Sequence, residues 1–406
     1  MQKHEISVKS TKVDLLYEFD RSLPVVQFKL IFKGVGSLNE KIAGLAKLSA
    51  NLLKEGTKTL GGSEFARLLD IKASSLSPYC DNEKFIISLN CLREHFKFSL
   101  EMVKNLLSEP NLTQSVLDKI KTEMLGEIAM LKTEFDYIAN VNLQKMLFKG
   151  TPLGKDANGS EESIAKITLD DVRDFLSSLC LENLAVVLCG DTEFNENDIK
   201  EILEILPNGE VCKLPFYEAN DECKSEEIYE ESEQAYIYFG SPFFVDKKDE
   251  FIAKVALFVL GSSGFGSRLM EEIRVKRGLA YSAYARAEFT LSSRKFSGYL
   301  QTKNESKAEA TSLVREEIAK FVKFGVSADE LEQAKNFLLG SAVLQKETMF
   351  KRVSILVDEY LKGYEFGEFE RNLERIKALK LEDLNEFIKT HDEICKLSFS
   401  VVCKKD

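Results

Sequence analysis

Short apolar stretches alternate with longer amphipathic ones along this chain, and their order repeats. Residues 83–92 (EKFIISLNCL) are dense in Phe, Ile and Leu and predict a strand. A charged turn follows, then 95–107 (HFKFSLEMVKNLL), where Phe98, Met102 and Leu106 recur at helical spacing. Beyond Pro110 the pattern predicts a second helix over about 115–132. In the second half, 295–303 (KFSGYLQTK) takes the strand place, and a helix over 309–325 is stopped by Gly325. Another helix covers 327–344, with Ser327 and Glu330 placed for a capping box. Strand, helix, connection and helix thus recur in one order at similar lengths, which points to an internal duplication.

Each half also opens and closes on a strand. PVVQFKLIF (24–32) and QAYIYFGSPF (234–243) open them, and LAVVLCGD (184–191) and KLSFSVVC (396–403) close them. The stretch 208–233 between the halves is acidic and weakly periodic and reads as a linker. The expected fold is therefore α+β. Two homologous domains of one topology cover 1–207 and 234–406, each an antiparallel-rich sheet with helices on one face, joined by the acidic segment 208–233.

Composition narrows the chemistry. A chain of 406 residues, 44% apolar, can bury its cores without disulfides or structural metal. Its 55 basic and 66 acidic side chains leave a net charge of -11, the wrong sign for a nucleic-acid footprint. The three histidines, His4, His95 and His391, are too far apart in sequence for a helical zinc-binding pair. Eight cysteines without a CxxC read as reduced thiols in a cytoplasmic setting. The start lacks an apolar core and a small-residue cleavage site, and no run of about 18 apolar residues occurs, so neither a signal peptide nor a membrane span is expected.

Two stretches hold candidate chemistry. In GSLNEKIAGLAKLSANLLKEGTK (36–58) a loop precedes a helix expected over 41–54 and ending at Gly56. Ile42, Leu45, Leu48 and Leu52 form its core stripe, and Lys47, Ala50 and Asn51 lie roughly opposite. In GSSGFGSRLMEEIRVKRGLAYSAYARAEF (261–289) a flexible Gly/Ser loop leads into a helix over 267–277. Gly278 is placed to cap it, Arg274, Lys276 and Arg277 fill its last turn, and a short strand starts at Ala280. The spacing of Gly261, Gly264 and Gly266 is wrong for a dinucleotide loop.

The strand, the GS-x-NE loop and the GLA…L…GT helix resemble the start of the pitrilysin/insulinase/mitochondrial-processing-peptidase family of zinc metallopeptidases. That family carries H-x-x-E-H directly after GLA, whereas this chain reads Lys47-Leu48-Ser49-Ala50-Asn51. Both histidine ligands and the general base are replaced, so the resemblance implies no zinc and no cofactor in this chain. The family's third ligand, a Glu on a later helix, matches Glu127 in KTEMLGEIAMLKTEFDY (121–137). Without a metal, that carboxylate calls for a counter-charge, and Lys47 is the expected one. The segment 150–176 resembles the family's next conserved-type stretch, with Thr168 and Asp171 apt to cap a helix.

IRVKRGLAYSAY resembles the family's C-terminal signature, in which an Arg and a Tyr face the zinc site from the opposite domain. Arg274 and Tyr281 have the matching spacing, and the loop Gly261, Ser262, Ser263, Gly264, Phe265 and Gly266 would admit substrate. The resemblance spans about 7–403. It implies half of a clamshell, and the non-zinc subunit of a heterodimeric metalloendopeptidase. Such a subunit is inactive alone, binds extended peptides and supplies Arg274 and Tyr281 in trans to a zinc-bearing partner. A homodimer is also open. A non-catalytic assembly or scaffold subunit of the same fold is the second expectation, and a self-sufficient zinc peptidase the third. No nucleic-acid or membrane partner is expected.

Overall fold

A computed structural model describes residues 1–405. The chain divides into two compact units, neither continuous in sequence. The first comprises Met1–Ala129, Asp156–Leu214 and Lys346–Phe366; the second comprises Met130–Lys155, Pro215–Gln345 and the chain from Gly367 onward.

The first unit is built on strands β1 (Gln2–Val8), β2 (Thr11–Phe19), β3 (Val25–Lys33), β4 (Ser75–Cys80), β5 (Lys84–Leu92) and β6 (Leu184–Gly190). Their order is β1-β2-β6-β3-β5-β4, with only β2 and β6 parallel. The second unit holds β7 (Tyr217–Glu218), β8 (Ser225–Tyr229), β9 (Gln234–Pro242), β10 (Ala280–Phe289), β11 (Ser293–Lys303) and β12 (Ser398–Cys403). Its order is β8-β12-β9-β11-β10, with β8 parallel to β12 and the two-residue β7 beside β11. The five-strand paths β2-β6-β3-β5-β4 and β8-β12-β9-β11-β10 match in order and in strand sense, so the duplication extends to topology.

The segment 208–233, expected as a linker, therefore contains β8, which takes the place that β2 takes in the first sheet. Its sequence, SEEIY, conceals this because β8 is an edge strand with only Ile228 withdrawn from solvent. Charged side chains are what an exposed edge carries to discourage further pairing.

Alternation along the strands assigns the faces. Val26, Phe28, Leu30 and Phe32 of β3 pack against helical residues including Leu45, Leu48 and Leu52. The opposite face is apolar as well: Leu16, Ile31, Ile86 and Val187 meet Met349 and Val353 of the helix Met349–Leu361. In the second unit Ile237, Phe239, Phe296 and Phe399 face the main helical layer, while Tyr238 meets Leu143 and Leu147 of the helix Phe135–Leu147. Each sheet thus carries helices on one face, as expected, and one further helix on the other, drawn from the opposite half of the sequence. The cause is visible in β6, buried at all seven positions; a strand with no solvent face needs cover on both sides.

Polar contacts fix the added helix in the first unit. Tyr360 Oη donates to Asp14 Oδ2 at 2.6 Å, Lys3 Nζ lies 2.9 Å from the same oxygen, and Arg352 Nη2 reaches Asp20 at 2.5 Å. Burial pushes the Asp14 carboxyl up, but the Tyr360 hydroxyl and the Lys3 ammonium outweigh it and hold the group below its usual range. A carboxyl depressed by folding stabilises above its unfolded pKa of about 3.9, and that contribution is lost as pH falls through the folded value. Tyr360→Phe is therefore expected to cost about 1–2 kcal/mol at neutral pH and to move acid loosening of 349–361 to higher pH. Hydrogen exchange of that helix across an acid series checks both; identical profiles for variant and parent would count against the anchor.

Local expectations also meet the structure. The helices expected over 115–132, 309–325 and 327–344 are Gln114–Leu131, Lys307–Phe324 and Ala328–Gln345. Ser327 N donates to Glu330 at 2.7 Å, Glu330 N to Ser327 Oγ at 3.2 Å, and Thr168 and Asp171 form a reciprocal cap. The helix expected from 41 begins at Leu45, because Gly44 takes a φ of +90°. The Glu40 carboxylate accepts from Gly44 N and Ala46 N at 2.9 and 2.8 Å, satisfying the first turn.

Candidate functional site

The helix Leu45–Leu53 places Lys47 and Asn51 one turn apart on the side away from its core stripe. Glu127 approaches from the helix Gln114–Leu131. Lys47 Nζ lies 2.6 Å from Glu127 Oε1 and donates to Asn158 Oδ1, also at 2.6 Å. Lys54 Nζ takes the Asn51 amide oxygen at 2.9 Å. Lys47, Asn51, Lys54 and Asn158, together with Ala50, Tyr79 and Asp81, border a cleft of about 310 Å³. The ion pair expected from matched positions is thus present, and Asn158 is a second acceptor that sequence reading missed. Its only signal was its place in the stretch 150–176 that resembles the family.

The donors in this cleft do not suit zinc. An ammonium sits on the Glu127 carboxylate, Asp81 is paired with Lys84, the Ala50 side chain offers no oxygen or nitrogen, and the Asn51 oxygen is engaged. Burial pushes the Cys80 thiol up to about 12, with Glu40 and Asp81 adding to the rise, so it stays protonated. Among the described residues no cluster of three or more His, Cys, Asp or Glu could hold a metal ion. The Lys47–Glu127 pair is also partly wet, with side chains 27% and 47% exposed. Lys47→Met is accordingly expected to lower stability by no more than about 1 kcal/mol in urea unfolding; a loss of several kcal/mol would mark a structural lynchpin instead.

In the second unit the segment 261–289 builds a different arrangement. The loop 261–266, expected to be flexible, is tied down at its start. Residues Phe258–Ser262 form a wide π-type turn, and a Cβ on Gly261 would lie 2.5 Å from Ala285 N. Ser262 Oγ donates to Ala285 O at 2.7 Å. The loop then turns at Gly264, φ +66°, and leaves Phe265 65% exposed. The helix expected over 267–277 is a single turn, Arg268–Met270, widened over Glu271–Val275. Gly278, φ +63°, ends it as expected, with its N–H on Arg274 O at 2.9 Å.

That reversal brings Arg274 and Tyr281 side by side. The guanidinium carbon lies 4.5 Å from the centre of the Tyr281 ring and 4.4 Å from that of Phe265, so the group is held between two exposed rings. Tyr281 is 82% exposed and lies where the β10–β11 register slips, between Ala280 and Ala283. Such an irregularity re-aims a side chain out of the ladder. The neighbouring Lys276 and Arg277 are both paired with Glu272. Arg274 makes no hydrogen bond or ion pair to any described residue, so its N–H donors remain available. Phe265 was expected only as part of the loop; its stacking on Arg274 needs tertiary structure to be seen.

The chain matches two family descriptions in succession, "Insulinase (Peptidase family M16)" over residues 20–160 and "Peptidase M16 inactive domain" over residues 166–338. It is 40% identical over 404 residues to the "Non-peptidase homolog YmxG" of Helicobacter pylori (strain ATCC 700392 / 26695), covering 98% of this chain and 93% of that protein. Its fold matches the crystal structure of a peptidase M16 inactive domain from Pseudomonas fluorescens with a TM-score of 0.89 and 24% identity, covering 100% of this chain and 98% of the other. A protease from Helicobacter pylori matches with a TM-score of 0.82 and 18% identity, covering 99% of both chains.

Proposed function

This chain belongs to the peptidase M16 family, and from that premise we propose that it is the non-zinc subunit of a heterodimeric metalloendopeptidase. It binds extended peptide and supplies Arg274 and Tyr281 to the active site of a zinc-bearing homologous subunit. The observation that carries this reading is the unpaired guanidinium of Arg274, stacked between Phe265 and Tyr281. In the same unit Arg268 is held by Glu330 and Arg294 by Glu250, whereas the Arg274 guanidinium has no carboxylate partner among the described residues.

The chemistry follows from amide hydrolysis. Attack on the carbonyl carbon moves negative charge onto the oxygen, and donors fixed in advance lower that barrier. Arg274 offers a planar fork of N–H groups and Tyr281 a single O–H. Neither is a nucleophile or a base here. The hydrolytic metal and its water come from the partner in this reading, since the Lys47 cleft suits no zinc. Peptide would add by backbone pairing to a free strand edge, such as that of β4 or β10. A cytoplasmic setting is part of the proposal and is consistent with eight free thiols. Among the described residues no helix is long and apolar enough to cross a membrane.

The similarities support a split pair: Helicobacter pylori has both a relative described as a non-peptidase homolog and a structural neighbour described as a protease. Affinity purification of this chain from its native host tests the proposal. A similar-sized protein bearing H-x-x-E-H should co-purify, and only the mixture should cleave peptides. The chain alone should show no peptidase activity and no tightly bound zinc. Capture of other assembly components without such a partner would favour the scaffold reading, and stoichiometric zinc lost on Glu127→Ala would favour a self-sufficient peptidase.

A further inference from the structure

Beside the stacked arginine lies a cleft of about 400 Å³ whose Gln234, Gln301 and Lys303 the in-trans role does not use. Arg274 and Tyr281 border it together with Gln234, Gln301 and Lys303. Gln234 opens β9 and Lys303 closes β11, and the two are partners across the ladder, so the cleft sits at the end of the sheet. None of the residues lining it is acidic. Lys303, like Arg274, makes no hydrogen bond or ion pair to any described residue. Neighbouring cations differ: Lys276 and Arg277 share Glu272, Lys295 and Arg286 share Glu288, and Lys307 reaches Glu227. In a chain of net charge -11, this cleft brings two cations together without a counter-ion. Like charges gathered without compensation repel one another, and a bound anion removes that cost.

We propose that this cleft binds a carboxylate of an extended peptide. The guanidinium fork of Arg274 matches a planar carboxylate with two parallel N–H donors. Lys303 supplies a point charge from the end of β11, and the Gln234 and Gln301 amides complete the donor set. The ligand group is either the C-terminal carboxylate or an Asp or Glu side chain, which share this chemistry. The inference rests on the reading that the chain binds peptide, and it adds a preference for acidic or C-terminal segments to it.

The test uses the full chain and dansyl-labelled peptides of one apolar sequence in three forms: amidated and without acidic residues, with a free C-terminus, and amidated with one internal Asp. Fluorescence titration should show at least one carboxylate form binding about five- to tenfold more tightly than the neutral form, with the gap narrowing as salt is raised. Which form gains identifies the source of the carboxylate. Lys303→Gln should collapse that ratio, and Lys303→Arg should restore it. Equal affinity for all three forms, or an undiminished ratio in Lys303→Gln, overturns the carboxylate site while leaving peptide binding in place. No binding of any form overturns this inference and the peptide-binding reading together.

Discussion

Assayed with a zinc-bearing homologous subunit, Arg274→Ala is expected to lower peptide turnover by about 10²–10³-fold, the usual effect of removing one oxyanion donor. The size follows from the geometry around the residue. Arg274 is already positioned by Phe265 and Tyr281, at 4.4 and 4.5 Å, and makes no ion pair to a described residue. Little reorganisation is needed before it donates to an external oxygen, so its loss falls on the transition state. Tyr281→Phe should act in the same direction, since the ring and its stacking remain while the O–H is removed. With an amidated substrate free of acidic residues, which leaves the proposed carboxylate contact unused, kcat and kcat/KM should drop by similar factors with KM nearly constant. Lys276→Ala makes a useful control: it removes a cation two residues away that is satisfied by Glu272 and should leave turnover unchanged. Full activity in both the Arg274 and Tyr281 variants would end the in-trans role.

A second large effect is expected at the Lys47 cleft. Replacing Lys47 and Asn51 together by histidine should let the chain bind about one zinc ion, where the parent retains none after dialysis. The two positions are one helical turn apart, and Glu127 already stands within reach of the first, 2.6 Å from the Lys47 ammonium. The double substitution removes the competing cation and supplies two neutral nitrogen donors, making three protein ligands with Glu127. Ala50 remains without a base, so the metal-loaded variant should still not hydrolyse peptide by itself. Metal analysis after dialysis gives the stoichiometry, and adding Glu127→Ala should release the zinc. A metal-free double variant would mean that more than two side chains separates this cleft from a zinc site.

Much of this was legible in the residues because it rests on local rules. The duplicated strand–helix–helix order, the Ser327/Glu330 and Thr168/Asp171 caps and the Gly278 stop each depend on neighbours within a few positions. The Lys47–Glu127 pair spans 80 residues, yet it too could be anticipated, because a known arrangement of ligands supplied the missing distance. The strand Ser225–Tyr229 could not: its charges are those of a solvated connector, and only its pairing with β12 makes it part of a sheet. Nor could the sharing of Arg274 between two rings, since Phe265 and Tyr281 stand on opposite sides of it in sequence and meet only after the chain has turned at Gly278.

The amino-acid sequence alone determined the α+β class and the repeat, which are properties of residue type and short spacing that folding does not alter. Its resemblance to a known family pointed to the replaced zinc ligands at 47–51 and to the candidate pair Arg274 and Tyr281. Tertiary structure decided which helix covers which sheet face, sending Phe135–Leu147 and Met349–Leu361 to the sheets of the opposite halves. It also decided which charges find partners and which stay bare. Both outcomes depend on burial summed over distant segments: a sheet apolar on two faces takes whatever apolar helix can reach it, and a cation is neutralised only if folding carries a carboxylate to its side.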